Sequence, residues 1–208
     1  MGYEFTLMSA DIDEKAIRVE KPEELVMALA EAKADAIMSK LQTIDNQEKN
    51  VEPNVLVAAD TAEAIIQKLR IGEFKKAADS GLLITCDQVV VYEGMIREKP
   101  SSKEEARLFI KGYSGGHAAT VSSVLVTNLN SGFRKGEWDK VEIYFNDIPD
   151  QIIENLIEEG MVLNVAGGLI IEHPLILPYV KEVVGTTDSV MGLPKALTDR
   201  LIKEALST

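Results

Sequence analysis

The 208-residue chain is predicted to be an α/β protein built on a mixed, twisted sheet with flanking helices. Three observations predict it. Runs of β-branched and aliphatic residues alternate with segments of helical period, at least one strand pair is joined by a tight hairpin turn, and no internal repeat or low-complexity tract interrupts the pattern. The length suits one α/β domain with a substantial core. A composition of 46% hydrophobic and 27% charged residues is that of an ordinary soluble globular protein.

The first element is a helix over Pro22 to Leu41, with Glu23 and Glu24 in the first turn, where the macrodipole favours acids. Leu25, Val26, Leu29, Ala36 and Ile37 make its apolar stripe. Lys33 lies inside that stripe, so its ammonium either snorkels to water or points into a cleft. Gln42 to Pro53 is polar and without period, which reads as a loop, and Ala62 to Leu69 reads as a helix broken by Gly72. Leu82 to Tyr92 is strand-like, Glu93–Gly94 is a turn, and Met95 to Arg97 is the return strand. Ser101 with Glu104 makes a capping box for a helix stopping at Gly112. Ala118 to Asn128 and Lys140 to Phe145 are β-rich and joined by a Gly/Asn/Ser loop, a second hairpin. Helices close the chain over Pro149 to Glu159 and about Pro194 to Leu206.

Charge and cysteine content exclude several classes of function. With 34 acidic against 22 basic residues the net charge is −12, which repels phosphate backbones and argues against nucleic-acid polymers as partners. No apolar run is long enough to span a bilayer, the amino terminus has no signal-peptide pattern, and a weak myristoylation pattern at Gly2 has no polybasic second signal. A single cysteine, Cys86, precludes an intrachain disulfide and fits a reducing, cytoplasmic compartment.

Two carboxylate positions could carry chemistry. Asp11, Asp13 and Glu14 form an acidic cluster that is either a solvated turn or a site for a hard cation such as Mg²⁺. Asp87 follows an apolar run and precedes Val89, Val90 and Val91, so it sits near the sheet core. A buried carboxylate needs a compensating partner, and the choice is between a structural aspartate and a functional one. Lys99 precedes Pro100, which biases it to extended backbone at the end of the return strand, where it meets a phosphate or simply faces water. Cys86 is expected to pack as a small hydrophobe rather than act as a nucleophile with His117 or His173, and those histidines have no second cysteine with which to hold zinc. The Tyr113–His117 segment, YSGGH, precedes a strand instead of opening a helix, so a phosphate cradle does not follow. The residues alone point to a soluble metal-and-phosphate hydrolase.

Six short motifs occur in a definite order: DIDE, LAEAKA, CDQVVV, EKP, NVAGGLIIE and VMGLP. In that order they resemble Maf-like proteins, nucleoside triphosphate pyrophosphatases with a fold related to inosine triphosphate pyrophosphatase. The resemblance covers about Phe5 to Leu41 and Leu82 to the carboxyl terminus. It implies a Maf-type mixed sheet with a central cleft, in which Asp87 is the general base that activates water and Glu14 is the acidic residue associated with a divalent cation, Mg or Mn. Asp87 would share that cation. Lys33 and Lys99 match the lysines facing the triphosphate. It also implies a nucleoside triphosphate as substrate, with a second copy of the chain as a candidate partner. Gln88 and Glu172 stand where members resembling dTTP and UTP enzymes carry threonine and glutamine, and the Gln88–Glu172 pair is similar to the subgroup acting on 7-methyl-GTP. A carboxylate accepts hydrogen bonds only, which suits the donor edge of a cationic methylated guanine.

The resemblance further implies one Maf-like domain over 1–208, with the family's first strand and Ser-x-Ser-Pro-Arg-Arg phosphate loop missing and 42–81 an inserted loop-and-helix excursion. Loss of that loop motivates the alternative of a catalytically impaired, nucleotide-binding or regulatory relative.

Overall fold

The computed structural model describes residues 6–45, 55–58 and 81–208. They divide between two compact units. The first takes the described residues up to Asp87, then Ser123–Trp138 and Gly192–Thr208, and the second takes Gln88–Ser122 and Asp139–Met191. The α/β class with a mixed sheet is as expected, and parallel and antiparallel pairings both occur among the described strands.

In the first unit, helix α1 spans Pro22–Asp45, four residues beyond the expected end. Its buried residues Leu25, Val26, Leu29, Ala30, Lys33, Ala34 and Ile37 recur at helical spacing and make one face. Ala30 and Ala34 belong to that face, whereas Ala36, placed there from the sequence, is only half-buried. Strand β1 (Thr6–Leu7) pairs in parallel with β2 (Val55–Ala58), and β2 pairs in parallel with β3 (Leu82–Tyr92). The stretch read as a loop-and-helix insertion thus contributes a strand to the sheet, a four-residue apolar run too short for its period to distinguish. The helix expected at Ala62–Leu69 lies outside the described residues.

Side chains alternate along β3. Leu82, Ile84 and Cys86 pack in one cluster with Leu193, Leu201, Ile202 and Ala205, the last three from helix α5 (Lys195–Leu206), while Leu83 joins the α1 residues Ala30, Ala34 and Ile37. Thr85 and Asp87 follow Leu83 at period two and so face α1.

The second unit continues β3 into a hairpin with β4 (Met95–Arg97), where Tyr92 pairs with Met95. Glu93 and Gly94 both have positive φ, 50° and 76°, the conformation a two-residue type I′ turn requires. Helix α2 (Lys103–Tyr113) is capped by Ser102, whose hydroxyl accepts from the Glu105 amide, so the cap falls one residue later than the Ser101–Glu104 box expected. Tandem serines and tandem glutamates offer both registers, and Glu105 reaches back to the amide and hydroxyl of Ser101. Strands β5 (His117–Asn128) and β6 (Arg134–Phe145) are the second hairpin, whose turn end, Ser123–Trp138, belongs to the first unit, with β6 starting earlier than the Lys140 expected. Strand β7 (Val180–Val184) pairs antiparallel with β6, and helix α3 (Asp150–Glu159) packs its buried Ile153, Leu156 and Ile157 with Tyr113, Ile143 and Phe145. Helix α4 (Thr187–Val190) ends this unit.

Candidate active site

The period-two alternation of β3 and the helical period of α1 bring two charged side chains into one buried place. Asp87 is 7% exposed and Lys33 is 3% exposed, and the Lys33 Nζ lies 2.6 Å from Asp87 Oδ1. Contacts along β3 run against α1: Leu83 packs with Ala34 and Ile37, and Thr85 donates its hydroxyl to the Ala30 carbonyl at 2.8 Å. Side chains of a helix lean towards its amino terminus, so Lys33 extends back along α1 to meet Asp87.

The acidic cluster resolves into three separate duties. Asp11 pairs with Lys40 at 2.7 Å, and Asp13 caps a single 3₁₀ turn, Glu14–Ala16, by accepting from the Lys15 amide. Glu14 alone turns to the same ammonium as Asp87, with its Oε1 3.0 Å from Lys33 Nζ. One lysine therefore holds two carboxylates, one buried and one 41% exposed on its side chain. This trio carries a net charge of −1 and keeps one edge towards water.

The donor set suits a hard divalent cation of the kind completed by substrate. Mg²⁺ commonly takes one or two protein carboxylates and fills its octahedron with water and phosphate oxygens. Among the described residues no group of three or more His, Cys, Asp and Glu side chains is arranged for a metal, so a preformed protein cage of zinc type is not what these residues offer.

Asp87 is further fixed through its backbone. Its amide donates to Ser123 Oγ at 3.2 Å, and that hydroxyl donates to the Val26 carbonyl of α1 at 2.8 Å. The sequence reading missed Thr85 and Ser123, although the signal for Thr85 was there: a polar residue two places before Asp87 shares its face.

Cys86 points the other way, into the α5 cluster, and burial pushes its thiol up to about 12, with Lys33 working against the shift. It packs as expected. The histidines are occupied within the second unit: His173 Nε2 lies 2.9 Å from Glu159 Oε2, and His117 stacks on Tyr144 at 5.3 Å between centroids. The YSGGH segment is a turn between α2 and β5, tied by the Gly115 amide to the Asn146 carbonyl.

Lys99, Gln88 and Glu172 belong to the second unit. Lys99 is exposed beside the buried Pro100, and the motif around it is locked to NVAGG. The Gly167 amide donates to the Glu98 carbonyl at 2.9 Å, and the Tyr113 hydroxyl donates to the Gly167 carbonyl at 2.8 Å. Gly167 has φ 61°, and a Cβ there would stand 2.6 Å from the Val90 Cβ, so only glycine fits. Gln88 Nε2 lies within 2.9 Å of Ser122 Oγ, the Ser189 carbonyl and the Val190 carbonyl. Its two amide protons are thus spent on the end of α4, and Oε1 is the end left to accept. Glu172 is exposed.

A mixed α/β protein in which a buried lysine bridges two carboxylates is the class that fold and site define. A family profile described as "Maf-like protein" matches residues 1–205, and the chain belongs to that family. A 7-methyl-GTP pyrophosphatase of Dictyostelium discoideum is 32% identical over 204 residues, 98% of this chain and 88% of that protein. A dTTP/UTP pyrophosphatase of Geobacillus is 32% identical over 68% of this chain and 76% of that protein. A nucleoside triphosphate pyrophosphatase of Chlamydia muridarum is 31% identical over 59% of this chain and 61% of that protein.

Proposed function

We propose that this chain is a nucleoside triphosphate pyrophosphatase, a hydrolase that removes non-standard nucleotides, with 7-methyl-GTP as its substrate. The observation that carries the reading is the lysine-bridged trio: Lys33 Nζ 2.6 Å from the buried Asp87 Oδ1 and 3.0 Å from the half-exposed Glu14 Oε1. Membership of the Maf-like family and the similarity to the Dictyostelium enzyme support it.

Water attacks the α-phosphorus. Its oxygen forms the new bond as the bond to the bridging oxygen breaks, pyrophosphate leaves with that electron pair, and Asp87 takes the proton from the water. Asp87 is placed to serve as base because Lys33, 2.6 Å away, orients its carboxylate in a buried setting. Lys33 shares its charge between the carboxylates and the triphosphate, and the family resemblance assigns Lys99 a phosphate-binding duty of the same kind. Glu14 and Asp87 would hold a divalent cation, Mg or Mn, which supplies charge neutralisation on phosphate oxygens when bound. At the base, the Glu172 carboxylate accepts from the N–H edge of a cationic methylated guanine, and Gln88 presents Oε1 because its Nε2 is held by α4.

Among the described residues no helix is long and apolar enough to cross a membrane. The single, buried cysteine supports a cytoplasmic, reducing setting. A second copy of the chain is the candidate protein partner, and sedimentation decides it.

The test is pyrophosphate release from a panel containing 7-methyl-GTP, GTP, dTTP and UTP with Mg²⁺ or Mn²⁺ in ¹⁸O-labelled water. Turnover that favours 7-methyl-GTP, with label in the monophosphate, is the expected result. A folded chain that binds but turns over none of them would instead be the non-catalytic relative.

A further inference from the structure

We infer that Ser123 and Thr85 are positioning residues for the proposed reaction, their hydroxyls pinning α1 to the sheet so that Lys33 meets Asp87. The inference rests on the pyrophosphatase reading and assigns duties to two side chains that touch neither substrate nor phosphate.

Thr85 donates to the Ala30 carbonyl at 2.8 Å and Ser123 to the Val26 carbonyl at 2.8 Å. These carbonyls lie one turn apart, in the stretch of α1 just before Lys33. Each is already the acceptor of an i+4 amide in the helix, so the hydroxyls use the second lone pair and leave the helix intact. Both hydroxyl-bearing residues are 0% exposed, so water cannot take their place. Ser123 does more than anchor: the same oxygen accepts from the Asp87 amide at 3.2 Å, linking the backbone of the base to the helix that carries its cation. Strands β3 and β5 are thereby each tied to α1 in the two turns before Lys33.

Burying a hydroxyl in this sheet does not by itself create such a link. Thr127, four residues after Ser123 on β5 and therefore on the same face, is 1% exposed, and its Oγ1 has no partner. Thr85 and Ser123 reach α1 carbonyls beside the pair, whereas the hydroxyl of Thr127, on the same face as Ser123, reaches no acceptor. A displacement of the pair of about 1 Å would cost on the order of 10²-fold in rate, because the base must be held within hydrogen-bond reach of the water.

The experiment compares Ser123→Ala, Ser123→Thr, Thr85→Val and Thr127→Val by steady-state pyrophosphate release and by NMR hydrogen exchange at the Asp87 amide. Ser123→Ala is expected to lower kcat by about 10–100-fold with KM within about twofold, and to speed exchange at Asp87. Thr85→Val should lower kcat in the same way, and it carries the test if Ser123→Ala does not fold. Ser123→Thr, which keeps the oxygen, should recover most of kcat, and Thr127→Val should leave both readouts unchanged. Wild-type turnover with Ser123→Ala and Thr85→Val within twofold of it in kcat overturns the positioning role alone. A folded wild-type chain without turnover overturns the pyrophosphatase reading and the positioning role with it.

Discussion

Replacing Lys33 by methionine removes the ammonium while keeping a side chain of similar length. Two carboxylates are then left facing each other, and Asp87, with a side chain 5% exposed, loses the cation that compensates its burial. Removing one partner of a buried ion pair costs about 3–5 kcal/mol, because an unpaired buried charge remains. The Glu14 arm adds little, since its side chain is 41% exposed and pairs of that kind contribute about 0–1 kcal/mol. For a chain of this length each kcal/mol lowers Tm by about 2–4 °C, so a fall of about 6–20 °C is expected. Because the loss comes from a buried carboxylate deprived of its lysine, adding Asp87→Asn to Lys33→Met should restore most of it, a coupling that a double-mutant cycle reads directly. Thermal and urea unfolding followed by circular dichroism supply the numbers. A loss below about 1 kcal/mol for Lys33→Met, or a double variant no more stable than the single, would refute a buried Lys33–Asp87 pair.

Three further outcomes follow from the same geometry. Cys86 should be inert to a thiol reagent at pH 8 in the native protein and react fully in urea; since folding raises its pKa from 9.0 to about 12, its contribution to stability is complete below pH 9 and declines as pH rises towards 12. Gly167→Ala should destabilise by about 2–4 kcal/mol in thermal unfolding, from left-handed strain plus the clash with Val90, whereas Gly132→Ala, with open space at its Cβ, should cost only about 1–2. Glu137 and Glu204 are held below the usual carboxylate range by hydrogen bonds from Arg200 and Lys135 respectively, so the network they form strengthens stability above pH 4.5 and is lost as pH falls through their depressed values; acid titration of Arg200→Gln should lack the Glu137 part of that component and keep the part from Lys135 and Glu204.

Much of this was legible in the residues, and what was not has physical causes. Asp87 stood out as a carboxylate inside an apolar run, and Lys33 as a charge inside a helical apolar stripe. Each announces an unmet need, but nothing local says that residues 54 positions apart answer one another. Glu14 could not be separated from Asp11 and Asp13 by spacing, because which acid caps the turn and which pairs with Lys40 depends on neighbours brought in by α1. The Glu93–Gly94 turn was readable since two-residue hairpins demand positive φ. The α2 cap slipped by one residue because Ser101–Ser102 and Glu104–Glu105 repeat the signal. Strand β2 was hidden in four apolar residues whose pairing with β1 and β3 is entirely tertiary. The bond from Gln88 to the end of α4 is likewise invisible without coordinates, which is why a residue read for the nucleotide base turned out to spend its donors on the protein.

The most direct measurement is pyrophosphate release from 7-methyl-GTP by the wild-type chain and by Asp87→Asn, each shown to be folded. Turnover by the wild type that falls at least about a thousandfold in Asp87→Asn is the predicted result, consistent with loss of a general base together with its cation. Equal turnover by the two chains would contradict the account at its centre.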